Sequence, residues 1–247
     1  MANGKVISIT SRKGGVGKTT TLINLAGVYS NLKKKVLLFD LDLYSSSIGI
    51  SLNLNGKKTF YNLVLDIGNN KFTQTADYVE QYNDYIYVLK CSNDPRTKNY
   101  IDKKYIEQVI NMVRHEYDVI LIDTNHVLDD INLTIYDNSD TILNVLSNDP
   151  VDLVNTKNFI NIVKDIVFPD FRILLNESNS LEEKYFSIYD IRTFLNYNIS
   201  YKLGRDFFVK TIDKYVIDGK ILTLNNVYKK EYKVLEKIGL DLLKDRL

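Results

Sequence analysis

The sequence predicts an α/β fold, a doubly wound, mostly parallel sheet of about seven or eight strands with helices on both faces. Two observations carry this. Short runs that are apolar at nearly every position alternate with stretches of helical spacing along the 247 residues. Strands buried on both faces need layers of helix above and below, and alternation with helices makes the sheet parallel. A third observation sets the domain count. Proline is rare (3 residues), and no Gly/Ser-rich linker interrupts the pattern, so residues 1–247 read as a single domain. Hydrophobic residues make up 45%, enough for a full core at this length.

The elements follow in order. Residues 5–10 (KVISIT) form the first buried strand, and 17–32 a helix with Leu22, Leu25, Ala26 and Tyr29 at helical spacing. Residues 36–40 and 85–89 are the next two strands. A helix over 100–115 carries Ile101, Tyr105, Ile106, Val109 and Val113 on one side. Residues 119–123 and 141–146 are further strands, and a helix over 151–165 is opened by Pro150. Strands at 171–175 and 199–202 and a last helix over 226–244 complete the chain.

Composition excludes several classes. Lys+Arg 32 against Asp+Glu 31 leaves a formal charge of +1, without the overall basic excess of many nucleic-acid binders. Cys91 is the one cysteine, so there is no internal disulfide and no Cys-rich metal site. Two histidines, His115 and His126, are too few for a typical His-based zinc site. The first apolar run is too short for a signal peptide, and no stretch nears the roughly 18 apolar residues of a membrane helix. The expectation is a soluble, cytoplasmic protein.

Chemistry concentrates after the first strand, at Ser11-Arg12-Lys13-Gly14-Gly15-Val16-Gly17-Lys18-Thr19-Thr20. A loop that wraps phosphate with main-chain N–H groups needs small residues, hence Gly14, Gly15 and Gly17 around Val16. The following helix adds the partial positive charge of its N-terminus. Lys18 can reach the β- and γ-phosphates, the Thr19 hydroxyl can ligate Mg²⁺, and Thr20 can bond the α-phosphate. Four apolar residues ending at Asp123 form the Walker B pattern, which places Asp123 on Mg²⁺ through a water.

The run Lys13-Gly14-Gly15-Val16-Gly17-Lys18-Thr19 resembles the deviant Walker A motif of the ParA/MinD family, which uses two lysines. The resemblance covers most of the chain and implies the P-loop NTPase fold, ATP and Mg²⁺ as ligands, and ATP hydrolysis that is slow and partner-stimulated. It implies that Lys13 crosses to the phosphates of a second copy in an ATP-sandwich homodimer, much as an arginine finger does. Asp40-Leu41-Asp42 resembles the family's Walker A′ element. Asp42 would then position or activate the attacking water and Asp40 would support Mg²⁺, against the alternative that either carboxylate caps the following turn. Leu174-Leu175-Asn176 resembles the strand end whose Asn contacts adenine, against a turn-forming Asn. The segment after Asp123, Thr124-Asn125-His126-Val127-Leu128-Asp129-Asp130, departs from the family in lacking proline; His126 either approaches the γ-phosphate or is a surface residue of that loop.

The cargo divides the family. Residues 118–163, with Leu128-Asp129-Asp130 and the run from Ser147 to Lys157, are similar to the TadZ/CpaE group that localises pilus assembly machinery. A partition ATPase binding DNA nonspecifically is the alternative, through Lys210, Lys214, Lys220, Lys229 and Lys230. A nucleotide-holding scaffold with little hydrolysis is another. The last helix, with Tyr228, Leu235, Ile238 and Leu242 on one face, either docks on the sheet or tethers the chain to a membrane; its interleaved acids argue against the tether. A protein cargo or activator is expected in either case.

Overall fold

The computed structural model describes residues 3–164, 170–178, 185–207, 212–225 and 229–244. Its strands are β1 (Lys5–Thr10), β2 (Val36–Leu41), β3 (Glu80–Gln81), β4 (Ile86–Leu89), β5 (Val119–Thr124), β6 (Thr141–Leu146), β7 (Asp170–Asn176) and β8 (Tyr201–Leu203). Its helices are α1 (Lys18–Asn31), α2 (Ile48–Ser51), α3 (Phe60–Gly68), α4 (Lys103–Val113), α5 (Asp130–Asp137), α6 (Pro150–Lys164), α7 (Ile188–Leu195), α8 (Ile212–Ile217) and α9 (Lys229–Leu242).

The strands form one sheet in the order β3-β4-β2-β5-β1-β6-β7-β8. Neighbours run parallel except β3, which pairs antiparallel with β4 at the edge. Every residue of β2, β5 and β6 is buried, as their unbroken apolar runs require of strands covered on both faces. Ile7, Ile9, Leu38, Leu121 and Leu143 pack with Leu22 and Leu25 of α1 and with Leu235 and Ile238 of α9. On the other face Val6, Phe39, Ile120 and Ile142 pack with Phe60 of α3, Val109 of α4, Tyr136 of α5 and Phe159 of α6. A smaller cluster joins α6 and α7 to β6 and β7 through Leu153, Ile160, Ile173 and Ile191.

The last helix is docked. Leu235, Ile238 and Leu242 are buried against α1, and Tyr29 Oη donates to the Gly239 carbonyl at 3.0 Å. Arg172 of β7, fully buried, donates to the Asp241 carbonyl (2.9 Å) and carboxylate (3.0 Å), and Tyr201 donates to the same carboxylate (2.7 Å). The apolar face of α9 is therefore used inside the fold. Residues 226–228 of the predicted helix, Tyr228 among them, lie outside the described residues.

Between β8 and α9 the chain crosses the outside of α1. Thr223 donates from its hydroxyl to the Asn24 carbonyl (2.8 Å) and from its N–H to Asn24 Oδ1 (3.2 Å). The crossing is close enough that a Cβ on Gly27 would collide with the Thr223 hydroxyl, so α1 has glycine there. Among the described residues no helix is long and apolar enough to cross a membrane.

Candidate functional site

β1 lies where the strand order reverses. The chain leaves it through α1 for β2 on one side, while β6 lies on the other. In open α/β sheets the crevice beyond the strand ends at such a point receives ligands. The loop from Ser11 to Gly17 fills that position, with Ser11 Oγ donating to the Lys13 carbonyl at 3.0 Å. Gly15 and Gly17 take φ of 75° and 91°, values that a side chain disfavours. Val16 between them is buried in the core and anchors the loop from below.

The N-terminus of α1 is open. Gly17 stands at its cap with no side-chain capping bond, and no acid occupies the first turn. The first N–H groups of the helix thus face outward without a protein anion, which is the arrangement a phosphate needs. They border a cavity of about 490 Å³ lined by Lys13, Gly14, Gly15, Gly17, Lys18, Thr19, Thr20 and Asp42. Ser47, His126 and Tyr215 also line it. His126 is exposed there.

Asp123 ends β5 with its side chain fully buried, paired to Lys18 Nζ and accepting from Thr19 Oγ1 at 2.7 Å. Burial pushes its carboxyl pKa up, opposed by Lys18 and Thr19. Asp40, at the end of β2 beside β5, is pushed up to about 7 by burial and by the charge of Asp123. It accepts from Ser46 Oγ (2.9 Å), Ser47 N (3.2 Å) and Ile48 N (3.2 Å). Thr19 Oγ1 lies 3.2 Å from Ser47 Oγ. Two carboxylates and two hydroxyls make a set of hard oxygen donors. No group of three or more His, Cys, Asp or Glu clusters among the described residues. This suits Mg²⁺ held partly by phosphate and water, and does not make a closed protein cage.

Asp42 accepts from Tyr44 N (3.3 Å) and Ser45 N (3.0 Å) on one oxygen, so it caps the turn while lining the cavity. The other Asp42 oxygen has no hydrogen bond among the described residues, which leaves it for a water. Lys13 Nζ lies 2.9 Å from Asp149 Oδ2 of its own chain, with both side chains partly exposed. That bond holds the Asp149 carboxyl below the usual carboxylate range. Asp149 also caps α6, accepting from Val151 N (3.0 Å) and Asp152 N (3.1 Å).

Asn176 sits at the end of β7, next to the loop. Its Nδ2 donates to the Val16 carbonyl at 2.8 Å, and its Oδ1 accepts from Ser178 N (3.0 Å) and Oγ (2.6 Å). A Cβ on Gly17 would come 2.5 Å from Nδ2. Here Asn176 fixes the back of the phosphate loop. In the segment after β5, Asn125 Oδ1 accepts from Val127 N and Asn132 Nδ2, both at 2.7 Å, which gives the proline-free loop its shape. The sequence reading overlooked Ser46, Ser47 and Asp149. A run of three serines behind an Asp-x-Asp was a readable sign of the first two; the third meets Lys13 only through the fold.

A family model described as an AAA domain (AAA_31) matches residues 4–170. The septum site-determining protein MinD of Helicobacter pylori is 34% identical over 119 residues, covering 48% of this chain and 44% of that protein. The chain spans less than half the length of the first curated relatives it matches. A ParA family ATPase from Chlorobium tepidum superposes with a TM-score of 0.84 at 15% identity, covering 96% of this chain and 98% of that one. MinD from Pyrococcus horikoshii, solved with Mg-ADP, gives 0.80 at 19% identity over 97% and 96%. These likenesses share the mostly parallel eight-stranded fold described above. On the family-model match, supported by the MinD relatives, this chain belongs to the AAA_31 family of AAA domains, within the ParA/MinD group.

Proposed function

We propose that the chain is a Mg·ATP-dependent switch of the ParA/MinD kind. ATP binds on the loop from Lys13 to Thr20, two copies close around it, and slow hydrolysis stimulated by a partner reopens them. The observation that carries the reading is the uncapped, acid-free N-terminus of α1 facing a cavity lined by Lys18 and Thr19, with the buried Asp123 bonded to both. Lys18 neutralises the β- and γ-phosphates. Thr19, Asp40 and Asp123 hold Mg²⁺, which supplies charge stabilisation at the transferring phosphate. The free oxygen of Asp42 orients the attacking water, and Lys13 serves the nucleotide of the second copy. Asn176 is the proposed adenine contact, and its bond to the Val16 carbonyl ties that contact to the phosphate loop.

The switch positions a protein cargo, with pilus assembly machinery as the first candidate; the cues similar to TadZ/CpaE fall at the end of β5 and the start of α5, through Leu128-Asp129-Asp130, and from Ser147 after β6 into α6. DNA is the second candidate. Lys214 is exposed, Lys220 is paired with Asp218 (2.8 Å), Lys210 lies outside the described residues, and Lys229 and Lys230 open α9. Membrane contact through α9 is disfavoured, because Leu235, Ile238 and Leu242 are buried. The deciding experiment measures phosphate release with Mg·ATP by the full chain and by Lys18→Ala and Asp42→Ala. Turnover in the wild type, lost in both variants while Asp42→Ala still binds ATP, supports the reading. Wild-type turnover equal to that of Lys18→Ala leaves the scaffold alternative in its place.

A further inference from the structure

Arg12 opens the phosphate loop and is 9% exposed. Its guanidinium carbon stands 4.2 Å from the centroid of the Phe159 ring on α6. Nη2 donates to Thr10 Oγ1 and, at 3.0 Å, to Tyr136 Oη of α5. Nε is buried without a partner. Every polar partner is a neutral hydroxyl, and among the described residues no carboxylate pairs with it. Arg172, the other buried arginine among the described residues, is answered by the carboxylates of Asp170 and Asp241.

A buried cation without a counter-charge is costly, and two hydroxyls with one aromatic face offset only part of that cost. Its place in the chain, between Ser11 and Lys13, puts this residue at the start of the loop that lines the cavity. We infer that Arg12 is an internal counter-charge for the bound polyphosphate, a positioning residue that acts through its field without touching the ligand. The inference rests on the reading that the loop holds a nucleotide. It gives Arg12 two properties that a packing role lacks. Its contribution grows with the charge of the ligand, and it favours the liganded protein over the empty one.

The test uses the full chain with Arg12→Met, which keeps an apolar stem against Phe159, and Arg12→Lys, which keeps the charge. Titration calorimetry with Mg·ADP and Mg·ATP is the readout, with thermal unfolding of the nucleotide-free proteins beside it. For Arg12→Met the expectation is a loss of about tenfold in ATP affinity, the equivalent of ~1.4 kcal/mol. The ADP loss should be smaller, about threefold, and the melting temperature without nucleotide should equal or exceed that of the wild type. Arg12→Lys keeps the charge but changes the stacked head group, so its ATP affinity should fall between those of the wild type and Arg12→Met. Equal losses for ADP and ATP, or a Lys variant as impaired as the Met variant, overturn the inference. So does an Arg12→Met chain that cannot fold without nucleotide, because the charge would then serve the fold. Wild-type protein that binds neither nucleotide is a different failure, which removes the nucleotide reading and this inference with it.

Discussion

Cys91 and the Lys13–Asp149 pair differ in what their surroundings allow them to do. Cys91 is 3% exposed, and burial together with the charge of Asp40 pushes its thiol up to about 12. A thiol that is neither ionised nor reachable does not attack electrophiles. Labelling with a maleimide or iodoacetamide at pH 8 should therefore be slow in the native protein and complete within minutes in denaturant. Fast native labelling would mean that the end of β4 opens. The Lys13–Asp149 pair makes the opposite case, since both side chains are partly exposed and the bond adds little stability. Asp149→Asn retains a capping oxygen for Val151 N and Asp152 N and removes only the charge. Urea midpoints should stay within the equivalent of about 0.5 kcal/mol. ATP-dependent self-association, followed by sedimentation velocity, should tighten severalfold, because Lys13 no longer leaves an ion pair in its own chain to reach a second copy. Unchanged association would show that the pair does not restrain Lys13.

Elements differ in how far they could be read before the structure was known. β2, β5 and β6 were legible because burial on both faces leaves an unbroken apolar run. The glycine-rich loop after β1 was legible because its residues are contiguous in the chain. β3 was not, being two residues, Glu80 and Gln81, whose strand character depends on pairing with β4. Glu80 is held there by Lys90 Nζ (2.7 Å) and by Gly56 N (2.8 Å), partners 10 and 24 residues away. The support around the loop was hidden for the same reason. Asn176 reaches Val16 across 160 residues, and Arg12 reaches Tyr136 across 124. The crossing over α1 is another contact invisible to periodicity, and it gives a direct test. Gly27→Ala puts a methyl group against the Thr223 hydroxyl, which is tied to Asn24 and has little freedom to withdraw. The expected cost is about 1–3 kcal/mol, the usual range for overpacking. It reads as a lower urea midpoint at unchanged slope. Leu240→Ala, on the exposed side of α9, should stay within about 0.5 kcal/mol and marks the scale. A neutral Gly27→Ala would mean that the chain after α8 can lift away from α1.

At the scale of the whole molecule, one chain carries the whole cavity proposed for the phosphates, which Lys13, Asp42 and His126 also line. Binding and closing are then separable events, because they draw on different residues. On the proposed reading, Lys18, Thr19 and the α1 N-terminus would grip the phosphates within one copy, whereas Lys13 would be needed only when a second copy arrives. A ligand present at 100 times its dissociation constant stabilises the protein that binds it by about 2.7 kcal/mol. For a chain of this size that raises the melting temperature by roughly 5–10 °C, at about 2–4 °C per kcal/mol. Wild type and Lys13→Ala should both show such a shift with Mg·ADP, and Lys18→Ala should show none. With Mg·ATP the wild type should dimerise and slowly return to monomer as ATP is consumed. Lys13→Ala should stay monomeric although it binds ATP. Asp42→Ala should dimerise and remain so, because its hydrolytic water has lost its partner while the phosphate grip is intact. Light scattering followed over time, with phosphate release measured in the same samples, separates the three behaviours. A Lys13→Ala protein that still dimerises would confine that lysine to its pair with Asp149, and the closing step would have to depend on other groups at the mouth.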